Sequence, residues 1–150
     1  MELCCAKLHG LSNEVQQAFN GKKISASRTC VKGIPIFANI NDTMRMAEDE
    51  KKRFVPLFGS DSFRSWILYF QPGEHTDMHY HMSPETFLVL QGKASVKGLK
   101  GEKRIIEKNE IVFFGAKDYY QITNVGTEPL VLVGNRSEAF GGAHVTAKEA

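Results

Sequence analysis

The sequence predicts an all-β domain of jelly-roll type, and three observations carry that prediction. From Ser62 onward the chain breaks into eight short β-prone runs: 62–71, 76–81, 85–91, 94–99, 103–107, 110–114, 119–124 and 129–135. Turn residues separate the runs: Pro72-Gly73, Ser83-Pro84, Gly92, Gly101, Lys108-Asn109, Gly115 and Gly126-Thr127. Short strands at regular spacing with such punctuation describe a sandwich or barrel. The chain has 150 residues, 42% of them hydrophobic, which suits one domain with a real core. No internal repeat is visible, so one barrel is expected rather than two.

Before Ser62 the pattern is mixed. Residues 12–20 read as a short helix, with Ser12 or Asn13 as cap, an apolar stripe of Leu11, Val15, Ala18 and Phe19, and Gly21 as its end. Residues 25–31 and 34–40 are short β-prone runs on either side of Gly33. Residues 43–53 read as a solvated helix capped by Asn41 or Asp42. Its acid-then-base order predicts the pairs Glu48–Lys52 and Asp49–Arg53, with basic residues in the last turn. The expected organisation is an arm over 1–61, a barrel core over 62–136 and a tail over 137–150. The tail, with Gly141-Gly142, is expected to be mobile or laid against a neighbour.

Composition narrows the function. The 19 basic and 17 acidic residues nearly cancel, and no basic run exceeds three, so no nucleic-acid footprint is expected. No apolar run suits a bilayer, and MELCCAKLHG lacks the layout of a secretory signal, so no membrane association or export is expected. Cys4, Cys5 and Cys30 are odd in number, two of them adjacent, which argues against a disulfide framework and for a reducing cytoplasm.

The chemistry concentrates in Gly73–Gly92, GEHTDMHYHMSPETFLVLQG. His79 and His81 are two apart, so on a strand they point to one face about 6.6–6.8 Å apart. The turn Met82-Ser83-Pro84 returns the chain with Glu85 beside them. Two neutral imidazoles and one carboxylate make the facial set that holds a divalent metal with positions left open. Phe87 and Val89 share the parity of Glu85 and should wall the pocket, while Phe113 and Phe114 add bulk near its mouth. Gln71 and Arg64 are candidates to hold a polar substrate group, and His75 is a candidate ligand or proton shuttle. His9 and His144 lie in terminal segments and read as incidental.

In these residues the chain resembles the cupin family. Gly73, His79, His81, Glu85 and Gly92 fit its first motif without a gap. Glu110 through Gly126 keeps the frame of the second motif, with Asn124 in place, after sixteen intervening residues, Lys93 to Lys108. Asn109 stands at a turn position where glycine is common, and asparagine tolerates positive φ well. Three positions depart: Gly115 replaces the usual proline, Lys117 the usual glycine, and Tyr120 the histidine that is usually the fourth ligand.

The resemblance implies one cupin jelly-roll β-barrel with one or two short peripheral helices. It implies a divalent transition metal on His79, His81 and Glu85, iron first, with manganese, nickel or zinc as other choices. Tyr120 can ligate as phenolate, stay neutral as hydrogen-bond donor or acid/base, or fill space; the cost of ionising a phenol favours the neutral role. Neighbouring Tyr119 should then point the other way. A metal-dependent enzyme on a small anionic or enolisable molecule follows, a dioxygenase slightly ahead of an isomerase or lyase. A non-catalytic metabolite- or sugar-binding protein is the alternative. A homodimer through the early strands is the expected assembly.

Overall fold

The computed structural model describes residues 37–138 and 143–147. The regions 12–20, 25–31 and 34–36, the three cysteines and His9 lie outside the described residues. The described chain forms helix α1 (Ile40–Asp49), then strands β1 (Phe54–Gly59), β2 (Arg64–Phe70), β3 (His79–His81), β4 (Glu85–Gln91) and β5 (Lys93–Gly98). It continues with β6 (Lys103–Glu107), β7 (Ile111–Phe114), β8 (Tyr120–Asn124), β9 (Leu130–Arg136) and β10 (His144–Thr146).

The strands form two antiparallel sheets, ordered β1-β2-β9-β4-β7 and β10-β3-β8-β5-β6. One core holds them together. Trp66, Phe70, Phe87, Val89, Phe114, Leu130 and Leu132 from the first sheet meet Ala94, Ile106, Tyr120 and Ile122 from the second. The sheets face each other as a jelly roll without closing into a continuous barrel. The opposite face of the first sheet is covered too: Ile67, Tyr69 and Val131 pack with Val55, Leu57 and Ala47 of α1. Strand alternation therefore splits β2 as its sequence suggests, Trp66 and Phe70 inward, Ile67 and Tyr69 toward the helix.

All eight expected strands form, with ends shifted by up to three residues. Two more join them. β1 is absent from the sequence expectation because Pro56 interrupts its alternation. An edge strand accommodates that proline, and the register shift between Pro56 and Phe58 absorbs it. β10 is three residues long and carries no periodicity to find.

The helix needs correction. It begins at Ile40 rather than at 43, so residues 37–40 are not strand. Its cap is Asn39, whose side chain accepts the Asn41 N–H at 3.0 Å and the Asp42 N–H at 3.4 Å. It ends at Asp49 because Lys51 takes φ 52° and turns the chain toward β1. Lys51, Lys52 and Arg53 therefore lie beyond the last turn, and the two expected helical ion pairs do not form. Lys52 meets Glu50 at 2.5 Å, and Arg53 stands 3.8 Å from Glu74 and donates to the His75 carbonyl at 2.8 Å.

Tight turns hold the strand ends in place. Gly92 has φ 82°, and a Cβ there would lie 2.8 Å from the Pro129 carbonyl oxygen, so only glycine fits. Asn109 takes φ 71°, as its place in the turn suggested. No helix among the described residues is long and apolar enough to cross a membrane.

Candidate metal centre

Sheet register brings the polar residues of the chain to one end of the sandwich. In the first sheet Arg64, Arg136, Glu85 and Phe114 fall in one row across β2, β9, β4 and β7. In the second, His79 pairs with Tyr120, and Tyr120 with Gly98. β10 flanks β3 with His144 opposite His81 and Thr146 opposite His79.

Three imidazoles converge there. Ring nitrogens of His79, His81 and His144 lie within 4.8 Å of one another. The His79 and His144 rings stack at 4.2 Å, and the His81 ring meets His79 edge-on at 4.9 Å. His79 and His81 are buried; His144 is exposed. Burial pushes His79 down to about 4 against the opposing hydrogen bond to the Asp77 carbonyl. Burial, with the Arg136 charge added, pushes His81 down to about 3. Burial, then Arg136, also lowers His144. All three are neutral at pH 7, the form that ligates a metal.

Orientation matters as much as charge. His79 Nδ1 donates to the Asp77 carbonyl at 2.7 Å, which leaves Nε2 with its lone pair toward the cluster. His81 Nδ1 lies 3.0 Å from the Ala143 carbonyl and 2.7 Å from Arg136 Nη1. One nitrogen cannot donate to the first and accept from the second, so each contact selects a different tautomer. The Ala143 contact frees Nε2 as a ligand, and Arg136 Nη1 then keeps Glu138 Oε1 at 3.2 Å. A backbone carbonyl behind an imidazole is the usual arrangement at a metal-bound histidine. Three neutral nitrogens so arranged suit a divalent transition ion.

Glu85 stands beside this group. Arg136 donates to its Oε2 through Nη2 at 2.5 Å and Nε at 3.0 Å. Tyr120 donates its hydroxyl to Oε1 at 2.5 Å, and the same oxygen lies 3.9 Å from His81 Nε2. Burial raises the Glu85 carboxyl, while Arg136 and the Tyr120 hydrogen bond oppose it. The Tyr120 hydroxyl also lies 3.0 Å from His79 Nε2. Burial and then the Glu85 charge push the phenol well above its ordinary range, so Tyr120 is neutral. Tyr119 points the other way and meets Tyr80 at 4.8 Å.

The other candidate residues fall in different places. Phe87 is 2% exposed and sits edge-on to Trp66 at 5.8 Å and to Tyr120 at 6.2 Å, an apolar wall beside the tyrosine. Phe114 is buried and Phe113 is exposed. Arg64 is buried in the same row and meets Glu138 Oε1 at 2.9 Å. Gln71 lies past the opposite end of β2, where its N–H donates to Glu74. His75 is exposed and bridges to Thr123, near that end of β8.

His144 is a correction: it joins the imidazole cluster instead of lying apart in the tail. Arg136 is a second residue that sequence reasoning missed. Neither has a local signal. Arg136 ends an apolar strand, and His144 reaches the site only because β10 pairs with β3.

The geometry agrees with what the chain resembles. A family model described as the cupin domain matches residues 66–134. No curated protein matches the chain. Among solved structures, a Bacillus halodurans protein is 18% identical with a TM-score of 0.61, covering 77% of this chain and 91% of that one. An uncharacterised Klebsiella pneumoniae protein with a double-stranded β-helix domain is 15% identical with a TM-score of 0.59, covering 83% and 93%. Lactobacillus farciminis oxalate decarboxylase is 20% identical with a TM-score of 0.53, covering 58% of this chain and 27% of that one. At such identities these likenesses speak to the fold alone. Residues 66–134 thus resemble the cupin domain, and the two-sheet topology of the described residues agrees with that match.

Proposed function

We propose that the protein is a metal-dependent enzyme acting on a small anionic or enolisable molecule, with His79, His81 and His144 holding the ion. The observation that carries this reading is the convergence of three neutral imidazoles within 4.8 Å, two of them buried. Glu85, the carboxylate of the expected ligand set, is engaged by Arg136 and Tyr120 and stands next to the three histidines.

Charge supports the substrate class. Arg64 and Arg136 balance Glu85 and Glu138, and the histidines are neutral, so a divalent ion leaves the site positive. A positive, largely buried site favours an anionic ligand. The ion, iron first and manganese, nickel or zinc otherwise, would polarise a bound carbonyl or carboxylate and, as iron, support oxygen chemistry. The chain's own groups supply the rest. Tyr120 donates its one proton to Glu85 Oε1, and Arg136 fixes the carboxylate through two contacts. Phe87 and Phe114 keep water from the tyrosine.

Dioxygenase is the first reading. A metal-dependent isomerase or lyase is the second, favoured by the Tyr120–Glu85 hydrogen bond, which is a ready proton relay. A homodimer in the cytoplasm is part of the same proposal.

The test is oxygen consumption by the iron-loaded protein over a panel of carboxylates, diketones and catechols. Substrate-dependent uptake supports the dioxygenase. Turnover without oxygen uptake supports the isomerase or lyase. Ligand-induced thermal stabilisation with no turnover on any metal overturns the enzymatic reading in favour of a binding protein.

A further inference from the structure

A cleft of about 610 Å³ opens between the β5–β6 hairpin and the β7–β8 turn, at the same end of the sandwich as the histidines. That volume is in the range of small-molecule sites. Its inner wall is apolar. Val96, Phe114 and Tyr120 line it and belong to the core between the sheets. The Phe114 and Tyr120 rings stack at 3.9 Å with 14° between their planes.

The rim is basic. Lys100, Lys103 and Lys117 border the cleft, and among the described residues none of them has a carboxylate within 4.0 Å. The fourth rim cation, Arg104, is 3.5 Å from Glu110. The rim acids do not answer the lysines. Asp118 accepts the Gly115 N–H at 2.8 Å, and the Glu102 side chain lies against Gly98.

Lys117 is held in an unusual way. It takes φ 67°, a conformation that costs a lysine what glycine would avoid. Its N–H donates to the His81 carbonyl at 2.7 Å, which ties this turn to the strand bearing the histidines. Tyr120 links the two regions as well: it lines the cleft while its hydroxyl reaches His79.

We propose that this cleft binds a small organic anion with a planar apolar body. The body lies against Val96 and the Phe114–Tyr120 pair, and the negative group sits among Lys100, Lys103 and Lys117. Three cations around a partly enclosed apolar wall focus an attractive field on such a molecule. The inference rests on the metal-enzyme reading for any reaction that follows, but binding itself requires no ion.

The test uses 8-anilinonaphthalene-1-sulfonate, an aromatic anion, titrated by fluorescence into chelator-treated protein. Saturable binding is expected, weakened by added salt. The uncharged N-phenyl-1-naphthylamine should bind at least about tenfold more weakly. The double variant Lys103→Glu with Lys117→Gly should weaken the sulfonate at least about tenfold, and Val96→Trp should remove saturable binding by filling the cleft. Lys117→Gly relaxes a left-handed backbone, so that variant alone should fold even if Val96→Trp does not. No saturable binding, or equal affinity in wild type and the lysine variants, overturns the proposal. A chain that takes a metal but not the sulfonate loses the cleft and keeps the metal site. The reverse result loses the metal site and keeps the cleft.

Discussion

Tyr120 and Arg136 bind different oxygens of the same carboxylate, and their removal should have distinct signatures. Tyr120→Phe takes one hydrogen bond from Glu85 Oε1 and leaves the aromatic stack with Phe114 in place. Folding stability should fall by about 1.5–3 kcal/mol, the usual net value of a hydrogen bond to a charged group. Turnover should fall at least about a hundredfold if the hydroxyl moves a proton. Metal affinity should change less than about threefold, because the hydroxyl is neutral and lies beside the imidazoles. Loss of the ion in Tyr120→Phe would make the tyrosine a ligand instead. Arg136→Ala leaves Glu85 buried without its cation, and removing one partner of a buried pair costs about 3–5 kcal/mol. Adding Glu85→Gln should restore part of that loss in chemical denaturation. A loss in the double variant equal to the sum of the two single losses would show that the two residues act independently.

Among the elements, β9 holds a close approach that can be tested directly. A Cβ on Gly134 would come within 2.4 Å of the Trp66 ring, in the core between the sheets. Gly134→Ala should therefore destabilise the fold by about 1–3 kcal/mol, the range for overpacking. An unchanged denaturation midpoint would show that Trp66 can move aside. The strands that sequence reading found are those with clear alternation and glycine, proline or asparagine at their ends. β4 is the clearest: Glu85, Phe87 and Val89 are buried, and Thr86 and Leu88 less so. β1 and β10 stayed hidden for different reasons. Pro56 breaks the pattern of β1, and β10 is defined only by the partner it meets. The charge spacing over residues 48–53 favours a longer helix, but the pairing of β1 with β2, which begins at Phe54, draws the chain out of it. The same limit applied to the site. His79, His81 and Glu85 are close in sequence and their meeting follows from strand and turn geometry. Arg136 and His144 arrive from distant strands, and no local pattern could place them.

Acid should weaken the whole molecule through the buried histidines. His79 and His81 titrate at about 4 and about 3 when folded, against about 6.5 in the unfolded chain. Below about 6.5 the unfolded chain binds more protons, so stability is full above that pH and falls as the pH drops toward the folded values. The raised Glu85 carboxyl works in the other direction and offsets part of the loss. Metal-free protein should lose on the order of 2 kcal/mol between pH 7 and pH 5 in chemical denaturation. A flat profile over that range would mean that the imidazoles are not buried in the neutral form. The wider account depends on the three imidazoles gripping one ion together. The most direct measurement is an equilibrium titration of chelator-treated protein with cobalt(II), followed by visible absorption, for wild type and His144→Ala. One ion per chain is expected, with His144→Ala weaker by at least about tenfold, since even partners behind a ligand are worth that much. No saturable uptake, or equal affinity in the two proteins, would contradict a centre completed by the C-terminal strand.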